Sequence, residues 1–200
     1  QDGKFLVLGT NNDGISRHLP DGALDVSFGT DGVQYIDFGL SIKPEGFNVL
    51  SNGKIVIFGN NGDIHLMGLN SDGSTDTSFG TDGFTTIDFG EDDRASELAI
   101  QPDGQIVVVG TSVEDFYTSD FILARLNPDG TMDETFGTGG MVTTDIGESD
   151  RLTSMAIQSD GNIVVAGRSD NQFTLARYIS GSGPSSVDIL EPEPGVLNVS

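Results

Sequence analysis

The chain has 200 residues and a formal net charge of −22 at pH 7, because 31 acidic residues stand against 9 lysines and arginines. So acidic a surface repels nucleic-acid phosphates and anionic lipids, and we expect no nucleic-acid partner. Cysteine is absent, which excludes disulfides and thiolate metal sites. No apolar run reaches membrane-spanning length and no basic-then-apolar leader is present, so we expect no membrane insertion.

A turn followed by a short apolar run is the first pattern along the chain, and it occurs four times. Each copy has an Asp-Gly or Asn-Gly turn, a short apolar run and a closing glycine, and the run is rich in β-branched residues in the last three copies. The copies span 2–9, 52–59, 103–110 and 160–167. In the copy at 103–110, the continuous β-branched run 106–109 predicts a strand that is covered on both faces.

A second motif combines an Asp-Gly turn with a downstream Asp-x-x-Phe-Gly, and it occurs three times. Its phenylalanines are Phe28, Phe79 and Phe136, which lie 51 and 57 residues apart. The first copy has one turn residue fewer than the others. Periods of about fifty residues indicate a stacked or circular array of one supersecondary unit.

The best-defined unit contains four predicted strands and no helical periodicity. We name them strand A (83–90), strand B (94–100), strand C (106–109) and strand D (121–126). Antiparallel strands joined by hairpins make one blade of a β-propeller. The sequence therefore predicts an all-β, β-propeller-like array of four-stranded antiparallel blades.

The predicted array is shorter than a closed ring. Counting strands along the sequence predicts 14 of them, or about 3.5 blades, whereas propellers usually close with four to eight. We therefore expect part of a larger propeller, or one completed by a second copy. The repeats occupy 1–180, in units of roughly 1–28, 29–79, 80–136 and 137–180.

Three segments together resemble the delta-60 repeat family. They run from Leu123 to Gly137, from Thr143 to Gly147 and from Gln158 to Gly167. The resemblance covers roughly residues 1–180, with the unit at 19–59 departing most. It implies a propeller-like fold in tandem arrays of large secreted or surface-attached bacterial proteins, and it implies no defined catalytic chemistry.

One end of the blades carries the variable loops, among them a loop with six extra residues between 112 and 120. Variable loops on a rigid scaffold are where binding usually occurs. Phe116 and Tyr117 are candidates for an aromatic anchor, with packing of the loop itself as the alternative. The full set of candidate binding residues is Phe116, Tyr117, Glu114, Asp115, Asp92, Arg94, Asp150 and Arg151.

The acidic loops allow two interpretations, a solvated surface and calcium binding. Asp72 and Asp76 resemble part of a calcium loop but lack the closing glutamate, so turn capping is the alternative there. Gly139 stands where Asp31 and Asp82 stand in the other repeats, which argues against an essential metal. Calcium is the one cofactor that the sequence leaves open.

No catalytic residue is predicted. His18 and His65 lack a recognisable nucleophile, so we expect structural or surface roles for both. Arg125 and Arg177 end equivalent segments, and we expect them to form ion pairs with the aspartates that end the strand-A copies. Those aspartates are Asp37, Asp88 and Asp145.

Residues 181–200 have the composition of a linker or of the start of a following C-terminal segment. Residues 196–199 resemble the first strand of the C-terminal sorting domains of surface proteins in gliding bacteria, which implies type IX secretion. The competing interpretation is a strand that completes an open blade or pairs with a partner.

The sequence therefore predicts a non-catalytic repeat module of a secreted or cell-surface bacterial protein. We expect it to be a scaffold for adhesion or for interaction with a protein or a glycan. The first alternative is a structural spacer, or an assembly unit that dimerises through open blade edges. A polysaccharide hydrolase is the second alternative.

Overall fold

The computed structural model describes residues 3–9, 14–39, 42–179 and 187–190. Within these ranges there is no helix, and hence none long and apolar enough to cross a membrane. The described residues form fifteen strands in four antiparallel sheets, one with three strands and three with four. The predicted all-β array of antiparallel blades is confirmed, and the sheets form an open array.

The strands follow one another in the sheets in chain order. The first two sheets consist of β1 (Phe5–Leu8), β2 (Ile15–His18) and β3 (Val33–Gln34), then β4 (Pro44–Val49), β5 (Ile55–Asn61), β6 (Asp63–Leu69) and β7 (Phe84–Ile87). The last two consist of β8 (Asp92–Ile100), β9 (Ile106–Val113), β10 (Ser119–Leu126) and β11 (Met141–Thr144), then β12 (Asp150–Ile157), β13 (Ile163–Ser169), β14 (Gln172–Tyr178) and β15 (Val187–Leu190).

Each sheet is shifted by one strand from the units drawn on the sequence. Strand A, taken there as the start of a unit, is the last strand of the preceding sheet. For example, Val142 of β11 pairs with Leu123 of β10, so a blade has the order B, C, D and the next A. Self-similarity determines the period of a repeat, but its phase depends on which strands pair.

The segment at 187–190 is a strand, although the linker composition around it predicts none. It pairs antiparallel with β14, in the position that β3, β7 and β11 hold in the other sheets. The fourth sheet thus receives its last strand from 187–190, whereas the competing interpretations of a sorting-domain strand and a blade-completing strand concern 196–199. Residues 180–186 and 191–200, including the segment at 196–199, lie outside the described residues.

Hydrophobic side chains fill the space between successive sheets in three clusters. In β9, Ile106 and Val108 contribute to the cluster shared with the second sheet, and Val107 and Val109 to the cluster shared with the fourth. All four are buried, so the prediction of a strand covered on both faces is confirmed.

A glycine at the end of the strand-C motif allows the first strand of the blade to pass closely in the second, third and fourth sheets. A Cβ on Gly110 would overlap the carbonyl oxygen of Arg94, and Gly59 and Gly167 face Lys43 and Arg151 in the same way. The pairing of each first strand is irregular just after this point. The charged residues that precede these points of close approach therefore lie at one end of the sheets.

Candidate functional site

Loops from neighbouring sheets meet at one end of the molecule, which we call the loop face. Backbone hydrogen bonds join them: the Ser119 amide donates to the Glu148 carbonyl at 3.2 Å, and the Asp170 amide donates to the Ser149 carbonyl at 3.1 Å. The loop face comprises residues 62, 88–91, 114–118, 145–149 and 170–171.

The extended loop at 114–118 is held by one aspartate. Oδ1 of Asp115 accepts the amides of Tyr117 at 2.7 Å and Thr118 at 2.9 Å. These hydrogen bonds, the one from Tyr117 first, lower the pKa of Asp115, so the carboxylate is ionised at neutral pH. The loop therefore has a defined shape without packing its aromatic residues.

Both aromatic side chains of this loop face solvent. Phe116 is 101% exposed and Tyr117 is 77% exposed. The alternative in which they pack against the loop itself does not describe Phe116, because the ring is fully accessible. Two adjacent exposed aromatic rings are unusual on a free surface and are common in binding sites.

A cleft of about 280 Å³ lies beside the aromatic pair, between the third and fourth sheets. It contains five of the residues predicted from the sequence, and the strands and the loop residue Ser149 add the others. Its lining is Arg94, Ser96, Thr111, Val113, Asp115, Phe116, Tyr117, Ser119, Ser149, Arg151 and Leu152. Neither Ser96 nor Thr111 was predicted, because a polar residue inside a strand carries no distinguishing signal.

Two arginines supply positive charge to this acidic face. Arg94 forms an exposed ion pair with Asp92 at 2.6 Å, and that partner raises the pKa of Arg94. Arg151 is exposed and makes no side-chain hydrogen bond or ion pair within the described ranges. A guanidinium in this state is available to a carboxylate or hydroxyl of a ligand.

Three predicted binding residues lie elsewhere. Glu114 does not line the cleft, and Asp92 lines a neighbouring one of about 580 Å³ that shares Arg94. Asp150 is fully buried, so it offers no surface to a large ligand. In the neighbouring cleft Asn60, which was not among the candidates, bonds the Ala95 backbone and so joins two sheets.

Among the described residues, two groups of three aspartates lie at the loop face or next to it. In each group, one carboxylate oxygen per residue lies within 4.8 Å of the other two. The groups are Asp63 with Asp88 and Asp93, and Asp120 with Asp145 and Asp150. The sequence feature that could have identified these groups is the repeated Asp-x-Gly-x-x-Asp at 88–93 and 145–150.

Burial raises the pKa of one aspartate in each group. For Asp93, desolvation is the main cause of the raised pKa, and the charges of Asp88 and Asp63 add to it. The nearby Ser112 hydroxyl and a hydrogen bond from the Phe89 amide lower the pKa and offset part of this rise. For Asp120, desolvation is again first, followed by the charges of Asp145 and Asp150. Mutual repulsion of like charges is therefore present in both groups.

Asp72 and Asp76 have the geometry of the turn-capping alternative. Asp72 accepts the Ser74 amide and hydroxyl at 2.9 and 2.7 Å. Asp76 accepts the Ser78 hydroxyl at 2.6 Å and pairs with Lys54 at 2.6 Å. Their carboxylates thus have protein donors, and neither residue belongs to the acidic groups found among the described residues.

The two histidines have structural contacts. His18 stacks on Phe5 with ring centroids 5.1 Å apart, and it also lies 3.0 Å from the Ser16 hydroxyl. That hydroxyl contacts the Val7 carbonyl as well, within the β1–β2 pair. His65 is buried against Thr86, and burial lowers its pKa.

The predicted ion pairs of the arginines are wrong in their partners. Arg125 pairs with Asp133 at 2.7 Å, and Arg177 pairs with Asp188 at 2.7 Å. Asp88 and Asp145 belong to the acidic groups instead. The reason is position, because Arg125 lies at the end of β10 that is remote from the loop face.

Comparison with known proteins supports the repeat architecture. Residues 50–79, 101–136 and 158–180 match a family described as a domain of unknown function (DUF5122) β-propeller. No curated protein matches the chain. Among solved structures, a protein of unknown function from Bacteroides caccae is 12% identical, with a TM-score of 0.46 over 94% of this chain and 72% of that one. The matched segments and the successive blade-like sheets show a β-propeller-like repeat domain.

Proposed function

We propose that this chain is a non-catalytic, delta-60-type binding module of a secreted or cell-surface bacterial protein. Its ligand is a glycan that binds on the loop face, in the cleft beside Phe116 and Tyr117. The observation that carries the proposal is the complete exposure of Phe116 on a loop fixed by Asp115.

The composition of the cleft supports a sugar ligand. Aromatic faces stack on the apolar faces of sugar rings, while hydroxyls and guanidinium groups bind sugar hydroxyls and carboxylates. Tyr117 and Arg151 offer these two chemistries in the lining of one cleft. A volume of about 280 Å³ suits one or two sugar units rather than a folded partner.

A labelled sample of the protein on a glycan array would identify a ligand. Calorimetry would then measure the affinity of the protein for that ligand. We expect Phe116→Ala and Tyr117→Ala each to weaken binding about tenfold, since each removes about 1.4 kcal/mol of contact. The matched control is Tyr35→Ala, because Tyr35 is 67% exposed on the first sheet. Unchanged affinity in Phe116→Ala, or an equal loss in Tyr35→Ala, would contradict the proposal.

A second candidate function is assembly with another copy. Phe5 and Val7 of the first sheet are each 45% exposed, and Phe173 of the fourth sheet is 56% exposed. Apolar side chains thus remain uncovered at both ends of the array, on faces that would pack against a further blade. The solution mass of the chain distinguishes this function from the first.

A further inference from the structure

The two acidic groups join successive sheets. In the first, Asp63 belongs to β6, Asp88 follows β7 and Asp93 lies in β8 of the next sheet. In the second group, Asp120 belongs to β10, Asp145 follows β11 and Asp150 lies in β12 of the next sheet. Each group therefore draws ligand-type oxygens from both sides of a junction between blades.

One aspartate in each group is buried with an unsatisfied oxygen. Asp93 and Asp150 are both 0% exposed, and Oδ1 of each has no hydrogen-bond partner among the described residues. The other oxygen accepts a backbone amide, from Phe89 at 2.6 Å and from Ile146 at 2.7 Å. A buried carboxylate oxygen without a donor is costly and indicates that a partner is absent.

Protein cations do not supply that partner. None of the six aspartates forms an ion pair with a lysine, arginine or histidine within the described ranges. Three carboxylates this close repel one another unless a cation or a shared proton lies between them. The oxygens are hard ligands, which suit Ca²⁺ or Mg²⁺ rather than transition metals.

We propose that each group binds one Ca²⁺ ion at a junction between blades. Oxygens that bind one calcium ion at about 2.3–2.6 Å lie no more than about 5 Å from one another. The carboxylate oxygens of each group meet this condition, since they lie within 4.8 Å of one another. Water and backbone carbonyls complete the coordination. Because the ligands come from two sheets, the ion fastens one blade to the next.

The first junction of the same chain is a natural comparison. Ile42 lies two residues before Pro44, where the pairing of β4 becomes irregular, just as Asp93 lies two residues before Ala95 in β8. The side chain of Ile42 is buried, at 5% exposure. Asp37 is retained there, but the buried carboxylate is replaced by an apolar group. A blade junction therefore forms without this aspartate, so its presence at the other two junctions serves a separate purpose. We expect two calcium sites per chain and none at the first junction.

Calorimetric titration of the full chain with CaCl₂, after removal of metal by EDTA, tests the inference. We expect two sites with dissociation constants near 0.1–1 mM, the range of extracellular modules, and a melting temperature that rises with Ca²⁺. Asp93→Asn and Asp150→Asn should each remove one site. Asp93→Ile, which copies the first junction, should do the same in a folded chain.

The control variant is Asp37→Asn, which alters the first junction and should leave both sites intact. Circular dichroism confirms that each variant is folded. The inference is overturned if Ca²⁺ gives no heat and no change in melting temperature up to about 10 mM. It is also overturned if Asp93→Asn and Asp150→Asn stabilise the metal-free chain without affecting calcium binding, because a shared proton then accounts for both groups.

Discussion

In two of the repeats an arginine lies over a buried phenylalanine, and Arg125 is itself buried whereas Arg17 is half-buried. The Arg125 guanidinium lies 4.7 Å from the Phe136 ring centre and bonds Asp133, and Arg17 repeats both contacts with Phe28 and Asp25. Burial alone would raise the pKa of Asp133, but hydrogen bonds from Thr135 and the charge of Arg125 lower it overall. The pair is therefore ionic, and it fixes the turn that carries the phenylalanine.

Removal of this arginine should be far more costly than removal of an exposed one. We expect Arg125→Ala to lower the free energy of unfolding by about 3–5 kcal/mol, because it leaves the Asp133 carboxylate buried and unpaired. Arg94→Ala removes an ion pair whose partners are 61% and 44% exposed, and should cost under about 1 kcal/mol. Urea unfolding of both variants measures the difference. Equal losses of unfolding free energy in the two variants would show that the buried ion pair stabilises the fold no more than the exposed one.

At the scale of elements, the Phe-Gly motif of one repeat docks on the Asp-Gly turn of the next. The Gly80 amide donates to the Asp129 carbonyl at 2.7 Å, and the Phe79 ring lies against Gly130. Phe28 and Gly73 repeat the ring contact one blade earlier. The two motifs found in the sequence are therefore the two halves of one contact between blades.

Gly130 should tolerate alanine poorly. Its φ is +81°, and a Cβ there would lie 2.7 Å from the Phe79 ring. Gly104 is the matched control, because its φ is +93° but its Cβ would meet only Pro128 at 3.5 Å. We expect Gly104→Ala to cost about 1 kcal/mol and Gly130→Ala about 2–4 kcal/mol in denaturant unfolding. A similar loss in both would mean that the ring contact does not constrain the turn.

At the scale of the whole molecule, the high negative charge opposes association of two copies through the apolar side chains at the ends of the array. Two copies that paired through Phe5, Val7 and Phe173 would bring together two chains of formal charge −22. Repulsion between them is strongest at low ionic strength, where screening is weakest.

We therefore expect a monomer of 21.0 kDa by light scattering at low salt and pH 7, with EDTA present. A mass twice as large under these conditions would support the assembly function over glycan binding. Phe173→Ser serves as the control, since it removes an apolar side chain from one end and should abolish any such dimer.

Much of the architecture was available from local pattern. Alternation, β-branched runs and Asp-Gly turns located the strands, and the recurrence of Phe28, Phe79 and Phe136 established the period. The six-residue insertion pointed to Phe116, whose exposure the structure then showed. Turn and strand preferences depend on neighbours in sequence, so they can be predicted without knowledge of the fold.

The sequence by itself determined the strands, the repeat and the acidic surface, whereas tertiary structure decided which strands share a blade and which charges meet. Strand A joined the preceding sheet, Arg125 met Asp133, and Asp63 met Asp88 and Asp93 across a blade junction. Such contacts depend on distances between segments that are remote in the chain. Those distances follow from the packing of one sheet on the next, which no local pattern encodes.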